Sequence, residues 1–354
     1  MWMNDIQRFR KDNYKAMSAF FEKKSFFSAM ITLLVCVLIF VGCSEKENPS
    51  DTSASASAGS ETSSVPVPPS APTDALISIK CGTETASGTD NVVLEASKRS
   101  FRAGQKVEIT LPDGMHFVAV NLAQGVTKEA ILYLPDGVFD YTIPNLSYSY
   151  DTALKNKSKI TITARIPTDE ELTAPHNLSL NPFDLLDGST KIRNYKYSAY
   201  WSGGVFPHAT ASSVCRIYDS EESKYQFEAR NIIDGYTKNN GHGGYPFQSW
   251  GPDSDFSQTK GYIMIDFGHE VTVNSLLLYI RADFPHDTYF TAMTVEFSDG
   301  SRQVFTIEKN ASAQSFDLGN VNTSFVRITN LKKEQSDGWA ALSEIEIIGK
   351  EIIN

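Results

Sequence analysis

From about residue 76 onward, apolar and polar positions alternate in short runs and helical periodicity is scarce. Ile77-Ser78-Ile79-Lys80, Val107-Glu108-Ile109-Thr110 and Lys159-Ile160-Thr161-Ile162 alternate with period two, whereas 117–120 and 130–133 are apolar throughout. Such runs predict strands buried on one face or on both. Two identical Leu-Pro-Asp-Gly segments, at 111–114 and 134–137, separate them. Proline presets φ and glycine accepts positive φ, so each is a turn. The pattern predicts a small β-sandwich over 76–170. Thr168-Asp169-Glu170-Glu171 predicts the capped start of one short helix. The aperiodic, aromatic stretch 171–206, with Tyr195, Tyr197, Tyr200, Trp201 and Phe206, predicts a connector packed between two modules. Nothing in 76–206 groups into a site.

Over 207–350 the strands fall at 262–267, 272–281, 293–297, 303–307, 314–318, 325–330 and 344–348, with Ser298-Asp299-Gly300 as a hairpin turn. Seven or eight antiparallel strands in about 140 residues predict a sandwich or jelly roll. The fold class is therefore all-β: two β-sandwich modules in series.

The first 75 residues differ in kind. Residues 1–24 carry Arg8, Arg10, Lys11, Lys15, Lys23 and Lys24, and 25–42 are an uncharged, mostly apolar run that ends in Gly42-Cys43. A basic flank before one apolar run is a secretory signal or a membrane anchor. A small residue before a cysteine at the end of that run resembles the lipobox of bacterial lipoproteins. The resemblance implies a signal peptide over 1–42 and lipidation at Cys43; the competing reading is an uncleaved anchor helix. Residues 43–75 are rich in Ser, Ala, Thr and Pro, too polar to bury enough surface to order themselves, and predict a disordered tether. Glu45 and Glu47 resemble surface-export signals of some outer-membrane lipoproteins. The expected localisation is the bacterial cell envelope, lipid-anchored in the outer membrane and exposed at the surface.

Charge narrows the partners. The chain has 32 Lys+Arg against 42 Asp+Glu, and the basic excess of the leader leaves the rest more acidic still. A body with that sign and no basic cluster has no footprint for phosphate backbones, so nucleic acid is not expected as a partner. Four cysteines, none at metal-ligand spacing, exclude a disulfide-dense scaffold and a thiolate metal cage. Cys81 and Cys215 fall in different modules and either pair or stay as two buried thiols.

Four segments in order carry a family resemblance: Ala229-Arg230-Asn231-Ile232-Ile233-Asp234-Gly235 followed by Trp250, Ile263 to Gly268, Phe325-Val326-Arg327-Ile328-Thr329, and Ala341 to Gly349. Together they resemble the discoidin family, the factor five/eight type C domain with its galactose-binding-like jelly roll. The resemblance implies a structural calcium or another small cation held by the side chains of Asp234, Glu344 and Asn239 and by the carbonyls of Asn231, Tyr236 and Ser343. Hard cations take such oxygen ligands, and one there would pin two loops distant in sequence. It also implies a sugar site built from an aromatic, a histidine and an arginine followed five residues later by an amide. Here that spacing runs from Arg281 to His286. The ligand candidates are His242, Tyr245, Phe247 and Trp250 in one loop, Arg281, Asp283, His286, Asp287 and Tyr289 in a second, and Trp339 in a third. Aromatic plates with a few fixed polar groups suit a sugar, which has one apolar C–H face and a rim of hydroxyls. Loops held by a rigid sandwich commonly carry binding. In each case a structural role competes: Trp250 as core, Asp234 as a turn cap, Arg281 with Asp283 as an internal pair.

The expected function is non-catalytic capture of a glycan or polysaccharide by a membrane-anchored protein. Two other classes stand beside it. Adhesion to a protein or matrix partner would use the same face. Glycan hydrolysis would need a carboxylate pair, but Glu344 and Glu346 share one strand face, and no Gly-x-Ser-x-Gly or His-Glu-x-x-His motif occurs.

Overall fold

The computed structural model describes residues 76–143, 157–185, 201–215, 227–238, 249–253, 256–282, 287–335 and 338–353. The leader, Cys43 and the tether lie outside these residues.

The N-terminal half is a sandwich of two four-stranded antiparallel sheets. Its strands are β1 (Ile77–Cys81), β2 (Glu84–Gly88), β3 (Val92–Ser97), β4 (Lys106–Thr110), β5 (Phe117–Asn121), β6 (Ala130–Tyr133), β7 (Val138–Thr142) and β8 (Lys159–Arg165). One sheet runs β2-β1-β4-β7 and the other β3-β8-β5-β6. The alternation in the sequence is the alternation of the pleat: Ile77, Ile79 and Cys81 point into the core while Ser78 and Lys80 face solvent. Gly114 and Gly137 close the two Leu-Pro-Asp-Gly turns at φ +78° and +65°. A short helix α1 (Asp169–Thr173) follows. Thr168 and Glu171 form a reciprocal capping box there, as the sequence requires.

The C-terminal half wraps one sheet around one core. Its strands are β9 (His176–Asn177), β10 (His208–Ala211), β11 (Tyr262–Ile280), β12 (Phe290–Phe297), β13 (Arg302–Thr306), β14 (Gln314–Lys333) and β15 (Leu342–Glu351). The order is β13-β12-β14-β11-β15-β9, with β10 added on β11. Two pairs of expected strands are single long ones. The runs 262–267 and 272–281 join as β11, with a register shift between Asp266 and Val271 at Gly268 (φ +74°). The runs 314–318 and 325–330 join as β14, which turns at Gly319 (φ +75°). A bulge or a glycine lets a strand bend without ending, so the sheet can close over its own face.

The segment expected as a connector is divided between the two cores. Leu178 packs in the C-terminal core, and Phe183, Leu185 and Val205 in the N-terminal one. Strand β9 pairs with β15, and the Ser179 hydroxyl donates to the Ile345 carbonyl (2.8 Å) while accepting from the Ile347 N–H (3.0 Å). Cys81 and Cys215 are both free thiols. Burial pushes them up to about 12 and about 11, so neither is a ready thiolate.

A second junction joins the halves. Glu351, at the end of β15, is buried; its carboxylate lies 2.6 Å from His269 Nε2 and 3.6 Å from His176 Nε2. The His269 ring packs against Tyr133 of β6, centres 4.0 Å apart and planes tilted by 34°. Burial alone would raise the Glu351 carboxyl, but the two histidines outweigh it and hold it below the usual carboxylate range. Burial would lower His176, but the Glu351 carboxylate and the Ala174 carbonyl outweigh that and raise it. Stability from Glu351 is lost as pH falls through its lowered value, and stability from His176 is lost as pH rises through its raised one. Thermal denaturation from pH 4 to 8 should therefore peak between roughly 4.5 and 6.5, the ordinary values of the two groups. Glu351→Gln should flatten that peak; an unchanged profile would show that the cluster contributes nothing.

Candidate functional site

Two features occupy the loop end of the C-terminal half: a buried acidic loop and an aromatic–arginine stack.

The acidic loop begins with a single 3-10 turn, Ala229–Ile232, which delivers Asp234 and Gly235 toward β15. Gly235 adopts φ +86°, a conformation that favours glycine, and its N–H donates to Glu344 Oε1 at 2.9 Å. Asp234 Oδ1 accepts from the Tyr236 N–H at 2.9 Å, closing an Asx turn. Asn231 is buried, and its side-chain amide donates to the Ser249 carbonyl at 3.1 Å. Ser343 is buried beside Glu344 on β15. The structure thus sets the Asp234-Gly235 turn against Glu344, with Asn231 and Tyr236 in the same loop and Ser343 next to Glu344; Asn239 lies outside the described residues.

Glu344 has no exposed surface. Burial pushes its carboxyl well above the usual range, the charge of Asp234 pushes it further, and the Gly235 N–H opposes both. Its Oε2 is buried with no hydrogen-bond partner among the described residues. A buried carboxylate oxygen with no donor, beside a second carboxylate, matches a hard cation. No group of three or more His, Cys, Asp or Glu side chains with the geometry of a metal site occurs among the described residues.

The aromatic feature centres on Trp339. Its Nε1 donates to the Pro252 carbonyl at 3.1 Å, Phe227 meets it edge-on at 4.5 Å, and the Arg281 guanidinium lies over its ring at 5.0 Å. A Cβ on Gly251 would collide with this ring, so the glycine is what lets the indole lie flat against the backbone. Trp339 remains partly exposed, and Arg281 is buried behind it at 6% exposure. Thr288 packs against Gly338, which sets the partly exposed Asp287 and Tyr289 beside the Trp339 loop.

Trp250, expected on the ligand face, is instead core, with no exposed surface. Its Nε1 donates inward to the Ser213 carbonyl at 2.9 Å, Phe256 and Phe290 flank it, and its backbone pairs in both directions with Leu342. It holds the Trp339 region in place without facing a ligand. His242, Tyr245, Phe247, Asp283 and His286 lie outside the described residues. Phe227 and Gly251 were not anticipated. The one signal for them was a glycine directly after a core tryptophan.

Residues 208–345 match the F5/8 type C domain, so the C-terminal half carries the discoidin fold. Solved structures similar to the chain include the family 32 carbohydrate-binding module of C. perfringens NanJ in complex with galactose. It is 16% identical over 40% of this chain and 91% of that one, with a TM-score of 0.30. A Streptococcus pneumoniae fucose-binding module is 18% identical over 40% and 92%, with a TM-score of 0.29. The C-terminal domain of a Bacteroides fragilis chitobiase is 15% identical over 41% and 95%, with a TM-score of 0.32. No curated protein matches the chain.

Proposed function

We propose that the F5/8 type C domain at 208–345 captures a glycan, without catalysis, on the loop face around Trp339. The observation that carries this reading is the partly exposed Trp339 indole, fixed by Phe227 and Pro252 and backed at 5.0 Å by the buried Arg281 guanidinium. A clamped ring loses little side-chain freedom on binding, so its exposed part can meet the C–H face of a pyranose at low entropic cost. Asp287 and Tyr289 at its edge supply acceptors and donors for hydroxyls. One ring and a few polar groups make a shallow, wet site with a Kd of about 1 mM to 1 μM. Many copies on one membrane would raise the effective affinity. A glycan array probed with the full chain should show selective binding that Trp339→Ala abolishes and Arg281→Ala weakens. Binding that survives both would place the site elsewhere. A glycan-negative array with a protein partner recovered in pull-down would favour adhesion.

A calcium ion, or a cation like it, completes this reading. Asp234 and Glu344 would hold it with the carbonyls of Asn231, Tyr236 and Ser343, and it would neutralise the two carboxylates and stiffen the loop. In its absence Glu344 is a group with a raised carboxyl value, so its contribution to stability is lost as pH rises through that value. A cation bound only by the native state stabilises by mass action, and protons compete with it. Calcium should therefore raise Tm relative to chelator, more at pH 8 than at pH 5, and Glu344→Gln should remove the gain. A chelator-insensitive Tm would argue against the ion.

The chain is further proposed to be an envelope lipoprotein, anchored through lipid on Cys43 and held off the membrane by 44–75; the apolar run ending in Gly42-Cys43 supports this. Cys43→Ser should leave the signal uncleaved or release the protein from membranes. Wild-type migration and fractionation of that variant would count against lipidation.

A further inference from the structure

The junction of the two halves contains an open cleft of about 480 Å³, bordered by the β5 and β6 ends of the N-terminal sandwich, helix α1 and the β11 bulge. This lies in the range of roughly 300–1,000 Å³ usual for small-ligand sites. The cleft shares no lining residue with the Trp339 face.

One wall is a locked aromatic cluster. Phe117 lies 5.3 Å from Tyr133 and 5.3 Å from His269, and Tyr133 packs against His269 with the ring centres 4.0 Å apart and the planes tilted by 34°. The His269 ring cannot turn freely, because its Nε2 meets Glu351 at 2.6 Å and its Nδ1 the Phe267 carbonyl at 2.9 Å. His116 flanks the cluster 6.0 Å from Tyr133, with its Nδ1 toward the Leu134 carbonyl. Phe117 and Tyr133 are only partly buried and His116 is exposed, so ring surface faces the cleft.

The rim carries two carboxylates, Asp169 at the start of α1 and Glu270 in the bulge, both exposed. Among the described residues neither pairs with a lysine or arginine, and none of either lines the cleft. The outer edge of β6 is already occupied at Tyr133, whose N–H and carbonyl both bond Phe206 at 3.0 Å. An extended peptide would find no free main-chain ladder at that point.

We infer that this cleft is a second ligand site, for a cationic saccharide made of sugars with free amino groups. Pyranose C–H faces rest on Phe117, Tyr133 and His116, hydroxyls reach the His116 ring nitrogen and nearby carbonyls, and ammonium groups meet Asp169 and Glu270. Neutral sugars gain only the ring contacts, and anionic ones are repelled by the rim. The inference is independent of the proposed role of Trp339.

The test is calorimetric titration of the full chain with a glucosamine tetramer, its fully N-acetylated counterpart and tetralysine. The glucosamine tetramer should bind, more weakly as salt rises. Asp169→Asn with Glu270→Gln should weaken it roughly tenfold, since each exposed pair contributes under about 1 kcal/mol. Met115→Trp, at an exposed cleft residue, should block it without disturbing the core, and Trp339→Ala should leave it unchanged. Equal binding of the acetylated tetramer or of tetralysine, full binding by the double variant or by Met115→Trp, or no binding at all would each overturn the inference. Loss of binding in Trp339→Ala would overturn it too while leaving the loop-face reading intact.

Discussion

A carboxylate with no exposed surface sits on β15, between β11 and β9, and the loop end of the C-terminal half is organised around it. Burying an unpaired charge in a sheet interior is costly unless the charge is neutralised or given donors. Glu344 has one donor, the Gly235 N–H, and a carboxylate neighbour in Asp234. The chain must therefore bring the Asp234-Gly235 loop, more than a hundred residues earlier, to the edge of β15 and hold it there. That requirement explains the positive φ of Gly235. It also explains why Leu180 and Lys128 pack against the same turn, where any Cβ would press on both.

The same strand carries the second constraint. Glu351 closes β15 with a buried carboxylate set between two histidines, and one of these packs against Tyr133 of the other half. A buried carboxyl group at each end of β15 thus ties one end to the loop face and the other to the N-terminal sandwich. The intervening residues, Ile345 and Ile347, are wholly buried, and Ser179 bonds to both from the connector. The halves are joined by polar contacts of defined geometry as well as by apolar packing. Such contacts fix an orientation more sharply than area alone does.

These constraints leave two surfaces of different character. Around Trp339 a single ring is clamped and backed by arginine. At the junction several rings are locked together beneath unpaired carboxylates. The proposed hydroxyl-rich ligand of the first follows from its partly exposed ring, and the proposed cationic ligand of the second from its exposed carboxylates.

Much of the fold was legible in the residues alone. Period-two alternation located β1, β4 and β8, apolar runs located β5 and β6, the Leu-Pro-Asp-Gly and Ser-Asp-Gly turns marked chain reversals, and Thr168 with Glu171 announced the only α-helix of the described residues. The Asp234–Glu344 pairing was reached through family resemblance, and the structure brings the two together. Strands β2, β3, β7, β9 and β10 are not among the runs read from the sequence; Glu84–Gly88 carries no large apolar residue and is ordered by its neighbour β1, whereas Val92–Ser97 and Val138–Thr142 bury alternate residues. Strands β11 and β14 were each read as two because Gly268 and Gly319 look like terminators, whereas in a closing sheet they are bends. Trp250 reads in sequence either as a loop aromatic or as core, and the tertiary structure decides between them by pairing it with Leu342 and turning its ring inward. The junction cleft was invisible for the same reason: Phe117, Tyr133, Asp169 and Glu270 come from segments with no shared periodicity. Local alternation decides which face of a strand is buried, but only packing between distant strands decides which side chains meet.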